Sequence, residues 1–177
     1  MTLSRIALAA TLGLWVAGPV LAQQGSQSAT SAPTRAATMM DPAGKQVGSV
    51  TIAQYPAGVF IRGELQGLPP GWHGFHIHEK GACTPAFDAA GGHFNPGKAK
   101  HGLNQASTHA GDLPNIHVHA DGTARFEFVT QLVSIGGGAT DLMDQDGSAF
   151  MVHDGPDDYV TDPSGHSGGR IACGVIK

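Results

Sequence analysis

Residues 46–65, QVGSVTIAQYPAGVFIRGEL, set the tightest limit on what this chain can fold into. Apolar and polar residues alternate on both sides of Pro56-Ala57-Gly58, a period of two that turns one row of side chains inward and the other outward. Two such runs around a Pro/Gly turn form a β-hairpin. Similar runs recur: GWHGFHIHEK reads as a third strand, and IHVHA and TARFEFVT flank Asp121-Gly122, a two-residue hairpin turn. SAFMVHD and the apolar GRIACGVI follow. No segment shows the period of an amphipathic helix, and 26 glycines with 11 prolines in 177 residues favour a turn-rich architecture. Seven or eight short strands predict an all-β antiparallel sandwich or barrel, in a single domain at this length.

Two stretches lack any period. The first runs from Gly81 to Asn115 and is rich in Gly, Pro, Ala and Asn; the second runs from Gly155 to Gly168. Long loops inside a compact domain are usually functional. The first 22 residues differ in kind. MTLSR gives a short positive start, IALAATLGLWVAGPVLA is apolar, and small or modest residues precede a cut before Gln23. That pattern is a secretory signal peptide rather than a membrane span. It contains no cysteine for a lipid anchor, and no later segment is apolar enough to span. Residues 23–38 read as a flexible linker, and 39–177 as the folded domain. The net charge of −4 includes no basic stripe, which argues against a nucleic-acid partner.

An exported chain with two cysteines, Cys83 and Cys173, reads first as carrying one disulfide. The competing reading is two thiolate metal ligands. Histidine carries more weight, with ten residues of which six form an ordered series. His76 and His78 sit two apart on one strand, hence on one face, roughly 6.6 Å apart at ~3.3 Å rise per residue. His93, His101, His109 and Asp112 lie in the first long loop, and His153 ends FMVH. Imidazole suits copper and zinc, and three imidazoles with a carboxylate suit tetrahedral zinc. Seven ligand-type residues are too many for one such ion. Two adjacent ions account for them better, particularly if one imidazole uses both nitrogens.

The phrases GFHIHEKGAC, GGHFNP, KHG, HAGDLPN, VHD, DD and GRIACGVI occur in the order found in the copper,zinc superoxide dismutases, and the chain resembles that family from about Gly74 to Ile176. The resemblance implies an eight-stranded antiparallel Greek-key β-barrel with two long functional loops. It implies one copper per subunit held by His76, His78, His93 and His153, and one zinc held by His93, His101, His109 and Asp112, with His93 bridging. Asp157 matches the carboxylate that links a copper histidine to a zinc histidine. Arg170 matches the arginine beside copper and, with His93, would serve catalysis. Cys83 and Cys173 match the family's intrasubunit disulfide.

The activity so implied is dismutation of superoxide to oxygen and hydrogen peroxide by a redox-cycling copper beside a structural zinc. The implied enzyme is periplasmic or secreted, a possible homodimer, and without a membrane anchor. A copper or zinc buffer or carrier on the same barrel is the alternative. Carriers need exposed, exchangeable ligands, whereas this zinc set is closed. A zinc hydrolase would need an open zinc position and a general base. The second loop departs from the family: DGPDDYVTDPSGHSGG has four acids and no lysine. Lys98 and Lys100, just before His101, are the candidates to replace the missing steering charge. His73 and His166 read as structural and solvated residues. His117 and His119 repeat the HxH spacing, but Ile116 and Val118 between them are the better core candidates, which leaves this second pair facing solvent.

Overall fold

The structure, a computed structural model, describes residues 32–177 except Gln105. The expected signal peptide and most of the expected linker lie outside the described residues. Nine strands are present among these: β1 (Thr34–Met40), β2 (Gln46–Tyr55), β3 (Gly58–Leu65), β4 (Gly71–His73), β5 (Phe75–His78), β6 (Ile116–Val118), β7 (Ala124–Thr130), β8 (Ala149–His153) and β9 (Arg170–Val175). One short 3₁₀ turn, Phe87–Ala90, interrupts the first long loop. No described helix is long and apolar enough to cross a membrane.

Seven strands form a curled antiparallel sheet in the order β5-β8-β9-β1-β2-β3-β7, and β4 pairs with β6 in a separate ribbon. The pairs β1–β9, β3–β7 and β5–β8 join strands distant in sequence, as Greek-key connections require. Residues 46–65 form the expected hairpin, with Ile52 opposite Ile61 and both buried. Its alternation slips once. Val47 and Val50 are both buried because the β1–β2 register shifts between Met39 and Met40. Gly48 sits at this bulge with φ of +144°, and any Cβ there would collide with the Glu64 carbonyl.

Three expectations change. The span assigned to linker ends earlier, since Thr34–Met40 is a strand along the length of β2. Its short, polar-flanked sequence carried little signal of its own; pairing with β2 supplies the order. GWHGFHIHEK is two strands broken at Gly74: β4 turns to β6 while β5 joins β8. Counting Gly71–His78 as one kinked strand recovers the eight of the implied barrel. The Asp121-Gly122 turn forms, with the His119 carbonyl accepting from Gly122 N–H at 2.9 Å and His119 N–H donating to the Thr123 carbonyl at 2.8 Å. Its flanking strands then separate, β6 to β4 and β7 to β3, so the turn joins the ribbon to the sheet edge instead of closing a ladder.

Phe75 anchors the core, with its ring 4.8 Å from Phe126 and 5.3 Å from Phe150. Phe126 in turn lies directly over Gly63, where a side chain would displace it. On the opposite face of β8 and β9, Ala149, Met151 and Cys173 pack with Ala90, Cys83 and Phe87 from the loop. A disulfide joins Cys83 to Cys173, with Cα atoms 5.9 Å apart, and fastens the first long loop to β9. The bond closes a loop of 90 residues, for which chain entropy alone gives ~4.7 kcal/mol. Replacing both cysteines with alanine is expected to lower unfolding free energy by about 2–5 kcal/mol in urea titrations, and alkylation of unreduced native protein should label no thiol. A loss below about 1 kcal/mol, or two labelled cysteines, would contradict this.

Candidate metal centre

All four residues of β5 are buried, although an edge strand normally offers one face to solvent. Phe75 and Ile77 enter the core, and alternation turns His76 and His78 to the other face. The first long loop covers that face and also pairs with the strand's free edge. Phe94 N–H donates to the Ile77 carbonyl at 2.8 Å, Ile77 N–H to Gly111 at 2.9 Å, and Glu79 N–H to Gly92 at 2.9 Å. This backbone clasp sets His93 beside His78 and Asp112 beside His76. His153 reaches the same face from the end of β8, where a register shift precedes it.

Two groups result. Ligand-type atoms of His76, His78, His93 and His153 all lie within 4.8 Å of one another, and so do those of His93, His101, His109 and Asp112. Each imidazole but one is held through a single nitrogen. His76 Nε2 contacts Asp157 Oδ2 at 2.7 Å, His78 Nδ1 donates to the Gly91 carbonyl at 2.9 Å, and His153 Nδ1 to Gly168 at 3.2 Å. His101 Nε2 meets Asp157 Oδ1 at 3.0 Å. The other nitrogens are buried and lack a hydrogen-bond partner: Nδ1 of His76, His101 and His109, and Nε2 of His78, His93 and His153. Burying so many polar atoms without partners is unfavourable. Copper and zinc, which imidazole ligates well, are the groups these nitrogens fit.

His93 belongs to both groups. Its Nδ1 lies 2.8 Å from Asp112 Oδ1, while Nε2 faces the first group without a partner. His101 Nδ1 and His109 Nδ1 stand 3.0 and 3.3 Å from the Asp112 oxygens, yet neither makes a hydrogen bond there. Tetrahedral ligands at 2.0–2.1 Å from zinc are about 3.3 Å apart, so the second group has nearly the span a zinc ion needs.

The electrostatics favour ligation. Burial, assisted by neighbouring histidines, pushes His76 and His153 down to about 4 and His78 to about 2. These rings are therefore neutral near pH 7, the form that binds metal. Burial would raise Asp112, but hydrogen bonds from His93 and Thr108 hold it well below the ordinary carboxylate range. His101 is raised despite its burial because Asp157 and Asp112 flank it.

Asp157 apart, sequence reasoning did not single out the residues that support these ligands. Thr108 Oγ1 donates to Asp112 Oδ2 at 2.5 Å, and Asp162 Oδ1 accepts from His101 N–H at 2.8 Å. Asn115 exchanges two hydrogen bonds with the Asp157 backbone, at 2.9 and 2.8 Å. Gly165 leaves no room for a Cβ, which would fall on the Asp157 carboxylate. Only the unusual length of the loops hinted at this framework.

The remaining expected residues are placed as follows. Arg170 lines a cleft with His78, His93 and His153, its Nη1 and Nη2 donating to the carbonyls of Phe87 and Gly91 at 2.7 Å each. Lys98 and Lys100 are exposed on either side of Ala99, which lines the cleft while they do not. His73 is buried with its nitrogens 2.7 and 2.8 Å from the carbonyls of His153 and Pro69. His166 is exposed, 3.4 Å from Asp158, and His117 and His119 face solvent.

Residues 46–176 match the family description "Copper/zinc superoxide dismutase (SODC)". The chain is 50% identical over 139 residues to a superoxide dismutase [Cu-Zn] of Caulobacter vibrioides, covering 76% of this chain and 80% of that protein. It is 44% identical to superoxide dismutase [Cu-Zn] 1 of Aquifex aeolicus, over 80% of this chain and 86% of the relative. The Cu/Zn superoxide dismutase structure from Brucella abortus superposes with a TM-score of 0.69 at 34% identity, covering 82% of this chain and all of the other. By sequence, fold and the paired histidine groups together, the chain belongs to the copper/zinc superoxide dismutase family.

Proposed function

We propose that this chain dismutes superoxide to oxygen and hydrogen peroxide, with copper held by His76, His78, His93 and His153 and zinc by His93, His101, His109 and Asp112. The observation that carries this reading is the set of six buried ring nitrogens without partners, divided between two groups that share His93. When bound, copper supplies a one-electron redox couple and zinc a fixed charge. The chain's own residues do the rest. Asp157 holds His76 and His101 by their Nε2 atoms, which fixes tautomer and ring orientation across both groups. His93 Nε2 is the atom at which the chain would hold a proton for the product, at the base of the cleft. Arg170 presents an always-charged planar cation to a small anion entering that cleft. Two of its donors are spent on Phe87 and Gly91, so its position is set before substrate arrives. An exported location after cleavage before Gln23 accords with the Cys83–Cys173 disulfide.

His153→Ala should abolish copper binding and dismutase activity while leaving zinc near one per chain by metal analysis. Asp112→Ala should lose zinc first. Full activity in the former, or undiminished zinc in the latter, would reject the ligand assignment.

The metal-free protein should show a particular pH dependence. His76, His78 and His153 have folded values below the ordinary 6.5. As pH falls below about 6.5, the unfolded chain takes up protons that these buried rings refuse, so stability falls. The loss should persist to about pH 4, the folded value of His76 and His153, at about 1 kcal/mol or more per pH unit. Urea unfolding of metal-free protein at pH 7.5, 6 and 4.5 tests this, and a flat profile would count against neutral buried ligands.

Lys98 and Lys100 are proposed to guide superoxide, since no lysine lines the cleft and Asp162 does. Steering is a rate effect screened over ~10 Å at 0.1 M salt. Changing both lysines to glutamine should lower kcat/KM at low ionic strength and flatten its salt dependence, with metal content unchanged. An unaltered salt profile would leave Arg170 as the guide.

A further inference from the structure

The second HxH pair takes no part in the centre described above. β6 turns Ile116 and Val118 into the core, so His117 and His119 project together from the outer face, both exposed. Their ring centroids are 5.4 Å apart with planes at 84°. An ion 2.0–2.1 Å from a ring nitrogen lies about 3.2 Å from that ring's centre, so two imidazoles about 90–110° apart around it have centres roughly 4.5–5.2 Å apart. The observed pair is within a small side-chain rotation of that arrangement.

Two neighbours favour the same use. Trp72 stands opposite His117 in the β4–β6 register and packs edge-on against it at 4.9 Å, limiting the freedom the imidazole would lose on binding. Asp121 lines the same surface hollow as His119. Hydrogen bonds from the Thr123 hydroxyl at 2.7 Å and from its N–H at 3.0 Å, both to Asp121 Oδ1, fix the orientation of this carboxylate there.

We propose that His117 and His119 form an outer metal site, separate from the buried centre, that binds a divalent first-row cation and Cu(II) most tightly. The preference follows from the general order of affinity of nitrogen sites for these ions, in which Cu(II) stands highest. Two protein ligands on an open surface leave the remaining positions to water and to the Asp121 carboxylate, so the ion exchanges readily. The inner imidazoles, by contrast, are buried. The proposal does not depend on the function assigned to the inner centre.

The test uses the full chain with both inner sites already loaded with copper and zinc, carrying Trp15→Phe so that Trp72 is the single tryptophan. Cu(II) is added at pH 7.5 while Trp72 emission is followed, because a paramagnetic ion held beside His117 quenches a ring so close to it. One further Cu(II) per chain should bind and quench most of the emission. His117→Ala and His119→Ala should each weaken binding at least tenfold, His166→Ala should leave it unchanged, and Zn(II) should compete more weakly and without quenching. Dismutase activity should be the same throughout. Absence of quenching, or quenching of equal strength and affinity in the His117→Ala/His119→Ala double variant, would overturn the proposal.

Discussion

The free edge of β5 is the feature on which the rest of this molecule depends. An unpaired edge leaves backbone donors and acceptors open and invites pairing with another chain. Here the first long loop occupies it through the bonds of Phe94, Ile77, Gly111, Glu79 and Gly92. The same pairing delivers His93 and Asp112 to the face that already holds His76 and His78. Edge protection and site assembly are thus one set of hydrogen bonds. Gly111 shows how tight the contact is, since a Cβ there would strike the Ile77 carbonyl. A loop farther from the strand would leave His76, His78 and His153 on the sheet without His93, His101, His109 and Asp112 beside them.

Assembling the centre is unfavourable before any ion is considered. Six imidazoles are taken out of water, and each keeps a buried nitrogen that no protein group satisfies. Two carboxylates offset part of that cost. Asp157 contacts His76 and His101, and Asp112 lies against His93, His101 and His109. Asp157 is itself fixed by Asn115 and by the Tyr159 N–H at 2.6 Å. The second loop therefore supports ligands that the first loop carries, and the disulfide limits how far the first loop can move from β9. Loading the sites with metal would stabilise the folded state in proportion to affinity, because the unfolded chain offers no preformed pair of groups.

Much of this was legible in the sequence because it rests on side-chain type and period. Alternation in residues 46–65 gave the central hairpin, and the HxH spacing placed His76 and His78 on one face of β5. The histidines of the loop, with Asp112, were recognisable as ligand types in a familiar order. What the period could not give was partner choice. The same alternation is satisfied whether β6 pairs with β7 or with β4, and Gly74 was the only sign that one run would split between two sheets. Strand β1 was missed because TRAATMM has little contrast between its faces, and β2 decides its conformation. The supporting atoms were further out of reach. Gly91 and Gly168 act through carbonyls that every residue has, so no side-chain pattern can reveal them.

Gly91 shows how much one such atom can set. Its carbonyl accepts from both His78 Nδ1 at 2.9 Å and Arg170 Nη2 at 2.7 Å. A copper-type imidazole and the cleft's arginine are therefore positioned by the same oxygen. The residue follows the 3₁₀ turn Phe87–Ala90 with φ of +72°, a backbone conformation that favours glycine, and a Cβ would push aside the Glu79 side chain. The turn also supplies the Phe87 carbonyl to Arg170 Nη1 and packs Phe87 and Ala90 against Met151 and the disulfide. Displacing this turn would move the guanidinium and release His78 Nδ1 together. The distance between the cation and the imidazole face is thereby fixed by covalent chain and packing rather than by the flexible arginine side chain, which is what a site for a very small anion requires.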